Sequence, residues 1–136
     1  NLSQPKVPII ISIDATLINQ ALTNILKNAG EAIEARKKNS PSLNYSGIID
    51  VVLLDKINSV LLTIADNGIG LPQDRSRLFE PYVTTREKGT GLGLAIVKKI
   101  IEEHGGVLKL EDSDASGSED IIGALISIEI PKPISA

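Results

Sequence analysis

The stretch "EKGTGLGLAI", Glu87 to Ile96, decides how this chain is read. Three glycines at alternate positions, Gly89, Gly91 and Gly93, run straight into an apolar helical segment. Glycines let backbone amides approach a ligand closely, and a helix that follows adds the positive end of its dipole. Two familiar phosphate loops fail. The dinucleotide fingerprint needs a third glycine where Leu94 stands. The P-loop ends in Gly-Lys-Ser/Thr, whereas Lys88 comes before the glycines. The loop has the composition of a phosphate cradle, but of some other kind.

On its C-terminal side, Leu92 to His104 reads as a helix with Ile96, Val97, Ile100 and Ile101 turned inward. "HGG" closes it, because Gly105 can take the left-handed cap. Val107 to Leu110 and Ala124 to Ile130 read as the last strands, with "EDSDASGSED" between them as a solvated turn. On its N-terminal side, Gly68 to Gly91 is long and glycine-punctuated, with only a short turn near Arg75 to Phe79. A loop of that length inside one domain is usually functional. Ile48 to Leu54 and Val60 to Ala65 read as strands joined by a polar turn, and "NSPSLNYSG" (Asn39 to Gly47) as a loop. Asp14 stands where a helix N-cap belongs, and Ile18, Leu22, Ile25, Ala29 and Ala32 continue a helical period to about Lys38. Val7 to Ile13 is a short β-branched run, expected to be a strand. No internal repeat is present. The pattern predicts an α+β fold, a two-layer α/β sandwich with helices on one face of a mixed, mainly antiparallel sheet. The 136 residues fit a single domain spanning 1–136.

Composition narrows the function. The chain has no cysteine, hence no disulfide, thiolate zinc site or thiol nucleophile. Its single histidine, His104, cannot build a multi-histidine metal centre. A net charge of -3 and 2% aromatic content argue against a nucleic-acid surface. No apolar run approaches the roughly 20 residues of a membrane span, so no membrane contact is expected of this segment. The absence of methionine, even at position 1, suggests a piece of a longer protein.

Two further groups of residues belong with the glycine loop. In "NQALTNILKNAGEAI" (Asn19 to Ile33), Asn24, Asn28 and Glu31 share one helix face at ~100° per residue. Asparagine is a poor residue for a plain exposed helix position. Its amide oxygen is a neutral hard ligand, suited to a Mg²⁺ ion whose charge a phosphate chain already balances. Alone, the pair also fits an ordinary polar face. In "TIADNGIGLP" (Thr63 to Pro72), Asp66 closes an apolar strand and is followed by Asn-Gly-Ile-Gly. An Asn-Gly hairpin is the simple reading, but "IGLPQDRSR" does not alternate as a returning strand should. A carboxylate at the mouth of an apolar pocket can accept a hydrogen bond from an exocyclic amine, and Gly68 and Gly70 let backbone approach a flat ring.

In this order, the pieces resemble the ATP-binding catalytic domain of sensor histidine kinases, in the superfamily that includes DNA gyrase, Hsp90 and MutL, with the Bergerat fold. The likeness spans about Val7 to Pro131. "NQALTNILKNAGEAI" resembles the N box, "DNGIG" the first glycine box, "RLFEPYVTT" the F box and "GTGLGLAI" the second glycine box. "FEPYVTTREKGTGLGLAIVKKIIEEHGG" is similar to nitrogen-regulation kinases, and "EAIEARKK" fits their NtrY branch.

The resemblance implies roles. Asn28 would ligate Mg²⁺, with Asn24 supporting the phosphates, and these two form the catalytic pair. Asp66 would accept the adenine N6 amine, and Gly68 and Gly70 would line the adenine and ribose. Phe79 would hinge a mobile lid over about residues 72–91. Lys27, Thr85, Lys88, Gly89, Thr90, Gly91, Leu92, Gly93 and Leu94 complete the expected ATP-binding set, with Arg86 a further phosphate neutraliser. Hydrolysing branches carry a glutamate where Asn24 stands, and an amide cannot take a proton from water. The domain should therefore hold ATP (and ADP) without hydrolysing it fast. The family transfers the γ-phosphoryl group to a histidine on a separate dimerisation domain, then to a response-regulator aspartate. No such histidine-bearing segment is expected before Asn1. The parent is expected to be a membrane-anchored homodimer with this domain in the cytoplasm, and the segment alone a monomer. Two rivals share the fold: an anti-sigma-type protein serine kinase, and a nucleotide-sensing module without transfer activity.

Overall fold

Asp14 begins the first helix. Its Oδ1 accepts the Leu17 N–H at 3.1 Å and its carbonyl accepts the Ile18 N–H at 2.9 Å, which is N-cap geometry. The computed structural model describes residues 2–6, 13–39, 45–70, 93–113 and 123–133. Within them, β1 is Leu2–Ser3, α1 is Ala15–Asn39, β2 is Ile49–Asp55 and β3 is Ser59–Asp66. They are followed by α2 (Gly93–Glu103), β4 (Val107–Ser113) and β5 (Gly123–Pro131). Steps of three and four along α1 bury Ala21, Ile25, Ala29, Ala32 and Ile33, as the sequence period requires. Arg36, Lys37 and Lys38 occupy its last turn, where cations favour the dipole.

Helix α2 buries Val97, Ile100 and Ile101. It ends in a two-bond C-cap: Gly105 N–H donates to Glu102 O and Gly106 N–H to Ile101 O, both at 2.9 Å. Gly105 sits at φ 72°, the left-handed conformation predicted for it.

The strands form one sheet in the order β1-β2-β3-β5-β4. β1 runs parallel to β2, and the other pairs are antiparallel. Register sorts the side chains by face. Val60, Leu62 and Ile64 lie opposite Ile130, Ile128 and Ile126, and Leu108 and Leu110 continue the row from β4. Ile64, Ile126, Ile128 and Ile130 share one core with Ala21 and Ile25 of α1 and Val97, Ile100 and Ile101 of α2. Both helices therefore cover the same face of the sheet, giving the two-layer α+β sandwich that the periodicities predict.

Three details differ from the sequence reading. β1 was not foreseen, because two residues show no period. Residues 7–12 of the expected strand Val7 to Ile13 lie outside the described residues, and Ile13 itself is outside any strand. β4 runs on to Ser113, absorbing the first three residues of the polar turn. Glu111, Asp112 and Ser113 pair with Leu125, Ala124 and Gly123. β4 is a sheet edge, where Glu111 and Asp112 can stay exposed while their backbone pairs. The expected lid, 72–91, lies outside the described residues.

Candidate nucleotide site

Asp66 is the last residue of β3 and 4% exposed. The strand's period of two puts it on the side of Ile64, the face that the helices cover. Its Oδ1 accepts the Gly68 N–H at 2.9 Å, a local turn that fixes the carboxylate's direction. The turn then leans on α1: Ile69 N–H donates to Ala32 O at 3.1 Å. A Cβ on Gly68 would lie 2.5 Å from the Ala32 carbonyl carbon, so only glycine permits this approach. Gly70 is buried with φ 83°.

Ala32 is one helical turn beyond Asn28. Gly68 and Ile69 thus seat the Asp66 turn against α1 beside its asparagine edge. Asn24, Asn28 and Glu31 are all half-buried at that edge, while Lys27 is exposed. Asn24 flanks buried Ile25, and Asn28 flanks buried Ala29. No group of three or more His, Cys, Asp or Glu that could hold a metal exists among the described residues. A metal at Asn28 would draw its other oxygens from phosphate and water, which is how Mg²⁺ is usually held. The residues fit Mg²⁺ on those terms.

Gly93 opens α2. Leu94 is half-buried and packs against the core, so its backbone amide is the group it can offer an anion. Phe79, Thr85, Arg86, Lys88, Gly89, Thr90, Gly91 and Leu92 lie outside the described residues. His104 stands at the far end of α2. Its Nδ1 lies 2.8 Å from Ile100 O, and its Nε2 lies 3.0 Å from the Asp14 backbone nitrogen. An N–H can only donate, so Nε2 accepts and the proton sits on Nδ1. The ring joins the end of α2 to the cap of α1.

Two residues escaped the sequence reading. Asn67, 2% exposed, is bound by its side chain to the 45–48 segment, where Tyr45 meets it. Burial raises the Tyr45 pKa; the Arg36 guanidinium opposes this and the Asp66 charge adds to it. Gly123 lies against the same turn, since a Cβ there would be 1.7 Å from Asp66 O. Neither contact has a local signal, as the partners are 19 to 22 residues from Asn67 and 57 from Gly123.

A helix with an asparagine edge is thus seated against a carboxylate turn, and both helices lie on one face of the sheet. Residues 13–134 match the family model "Histidine kinase-, DNA gyrase B-, and HSP90-like ATPase", and the chain belongs to that family. It is 58% identical over 101 residues to nitrogen regulation protein NtrY of Azorhizobium caulinodans, covering 74% of this chain and 13% of that protein. Among solved structures, a mycobacterial sensor histidine kinase, MprB, superposes with a TM-score of 0.76 at 28% identity. That match covers 98% of this chain and 83% of the other. The catalytic domain of histidine kinase ThkA superposes at 0.72 with 32% identity, covering 96% of this chain and 76% of that one. The chain is thus a sensor-histidine-kinase-type catalytic domain, spanning a small part of the curated relative's length. Among the described residues, no helix is long and apolar enough to cross a membrane.

Proposed function

We propose that this domain binds Mg²⁺-ATP and presents its γ-phosphoryl group to a histidine on a separate dimerisation domain of the same protein, from which it passes to a response-regulator aspartate. The observation that supports this best is the docking of the Asp66 turn on Ala32, one turn from Asn28. It sets a base-reading acceptor and a phosphate-end ligand on adjoining elements. Asp66 accepts the adenine amine, with Gly68 and Gly70 beside the ring. Asn28 holds Mg²⁺, which when bound neutralises phosphate charge. Asn24 supports the phosphates, and its amide leaves water without a base. Gly91 and Gly93 offer backbone amides to the phosphates, Lys27, Arg86 and Lys88 neutralise their charge, and Phe79 hinges the lid. In transfer, the bond from γ-phosphorus to the ADP oxygen breaks as a bond to the acceptor nitrogen forms. Catalysis by this domain is positioning and charge neutralisation.

The histidine kinases among the relatives favour a histidine acceptor over a serine. In this reading the domain works in the cytoplasm, where ATP is supplied, as one domain over 1–136, monomeric alone and within a homodimeric, membrane-anchored parent. Titration with ATP, ADP and GTP, with and without Mg²⁺, tests binding. A histidine-bearing helical hairpin added with γ-labelled ATP should then acquire acid-labile label, while this chain alone should not. Label on His104, or none on the hairpin despite tight Mg²⁺-ATP binding, overturns the transfer role.

A further inference from the structure

Asn67 is a primary amide at almost full burial, and its hydrogen bonds are spent on one neighbouring segment. Nδ2 donates to Ser46 O at 2.8 Å, and Oδ1 accepts the Ile48 N–H at 2.8 Å and lies 3.3 Å from the Tyr45 hydroxyl oxygen. The backbone of Asn67 joins in: its N–H donates to Ile48 O at 3.2 Å, and its carbonyl accepts the Tyr45 hydroxyl at 2.9 Å. The Arg36 guanidinium lies 5.6 Å over the Tyr45 ring, so the C-terminal end of α1 backs the tyrosine.

The peptide linking Asp66 to Asn67 is therefore held on the segment's side by Asn67 N–H, while Gly68 N–H holds the carboxylate from the next residue. We infer that Tyr45 and Asn67 are positioning residues that aim the Asp66 carboxylate, and so set how well the site distinguishes a purine bearing an exocyclic amine from one lacking it. This rests on the reading of Asp66 as the base acceptor. A hydrogen bond weakens steeply with misalignment, whereas stacking and phosphate contacts tolerate small rotations. Loosening the clamp should thus cost the amine contact first. Tyr45→Phe is the sharpest probe, because it removes only the hydroxyl and keeps the ring beneath Arg36.

The experiment titrates the 136-residue chain and its variants with Mg²⁺-ATP and with the Mg²⁺ complex of purine riboside triphosphate, which lacks the amine. Tyr45→Phe should weaken ATP by ~3- to 10-fold and leave the analogue within about twofold. Asn67→Asp, which keeps the shape but turns the donation to Ser46 into two facing acceptors and adds a buried carboxylate beside Asp66, should shift the ratio the same way. Asp66→Asn reports on the reading beneath. If Asp66→Asn loses the preference while Tyr45→Phe and Asn67→Asp weaken both nucleotides alike, or neither, the clamp is only structural and the inference falls alone. If Asp66→Asn keeps the full preference for ATP, base reading by Asp66 falls and the inference falls with it.

Discussion

A single side chain can have a function that its neighbours permit but do not share. Asn28 is half-buried between buried Ala29 and the solvent edge of α1. Replacing it with alanine removes an amide oxygen from a good helix position, so α1 should survive. Asn28→Ala should therefore lose most of the Mg²⁺-dependent part of ATP affinity while its thermal midpoint without nucleotide stays close to that of the parent. Calorimetry giving equal Mg²⁺-ATP affinity in both proteins removes the metal-ligand role. Glu129, on the open face of the sheet, behaves differently. The Ser59 hydroxyl, then the Lys56 ammonium at 3.3 Å, hold its carboxyl below the usual pKa. A depressed carboxylate contributes stability above its unfolded pKa and loses it as pH falls through the folded one. The stability gap between the parent and Glu129→Gln should be present at pH 7 and shrink below about pH 4.3. A gap unchanged down to the acid transition would mean that the Ser59 and Lys56 contacts contribute nothing. At this scale, Asp66 and Asn28 were legible because their types are out of place beside an apolar stripe. Asn67 was not, because asparagine before glycine has an ordinary meaning as a turn former, and only a distant segment gives it another.

At the scale of elements, the helices were the most legible parts. Long runs with a period near 3.6 residues, an Asp cap and a Gly-Gly end leave little freedom in where α1 and α2 begin and stop. β1, and the extension of β4 to Ser113, were not legible, because pairing with a neighbour decided them rather than side-chain character. His104 is an element-scale device of the same kind: its Nδ1–H holds Ile100 O and its Nε2 accepts the Asp14 N–H. Glutamine can still offer an acceptor near the Nε2 position, while leucine cannot. His104→Leu should thus destabilise the domain by about 1–2 kcal/mol and His104→Gln by less, both with unchanged ATP affinity. Denaturant unfolding that ranks glutamine as costly as leucine would show that the bond to Asp14 contributes nothing. Reduced nucleotide affinity in either variant would show that the far end of α2 communicates with the site.

For the whole molecule, the decisive feature is that the proposed site is not held by one element. Asp66 ends a central strand of the sheet, Asn28 is on α1, and α2 packs against α1 and shares its core with that strand through Val97, Ile100 and Ile101. That arrangement follows from the alternation of β3 and the stripes of the two helices, so it was implicit in the sequence once the elements were placed. What was not implicit is the fit between elements, such as Gly68 against Ala32, which depends on distances no pattern encodes. A ligand whose contacts come from several elements binds the folded domain and not the unfolded chain, so its binding adds to global stability. At Mg²⁺-ATP about 100-fold above Kd, unfolding should become ~2.7 kcal/mol harder. For a domain of this size the thermal midpoint should rise on the order of 10 °C, in one cooperative transition. GTP at the same concentration should raise it less, because Asp66 has no exocyclic amine to accept at that position. Asn28→Ala should lose most of the rise with Mg²⁺-ATP. A midpoint that does not move with saturating Mg²⁺-ATP would mean that the folded chain does not bind the nucleotide in preference to the unfolded one, and two separate transitions would divide the chain into more than the single domain proposed for it.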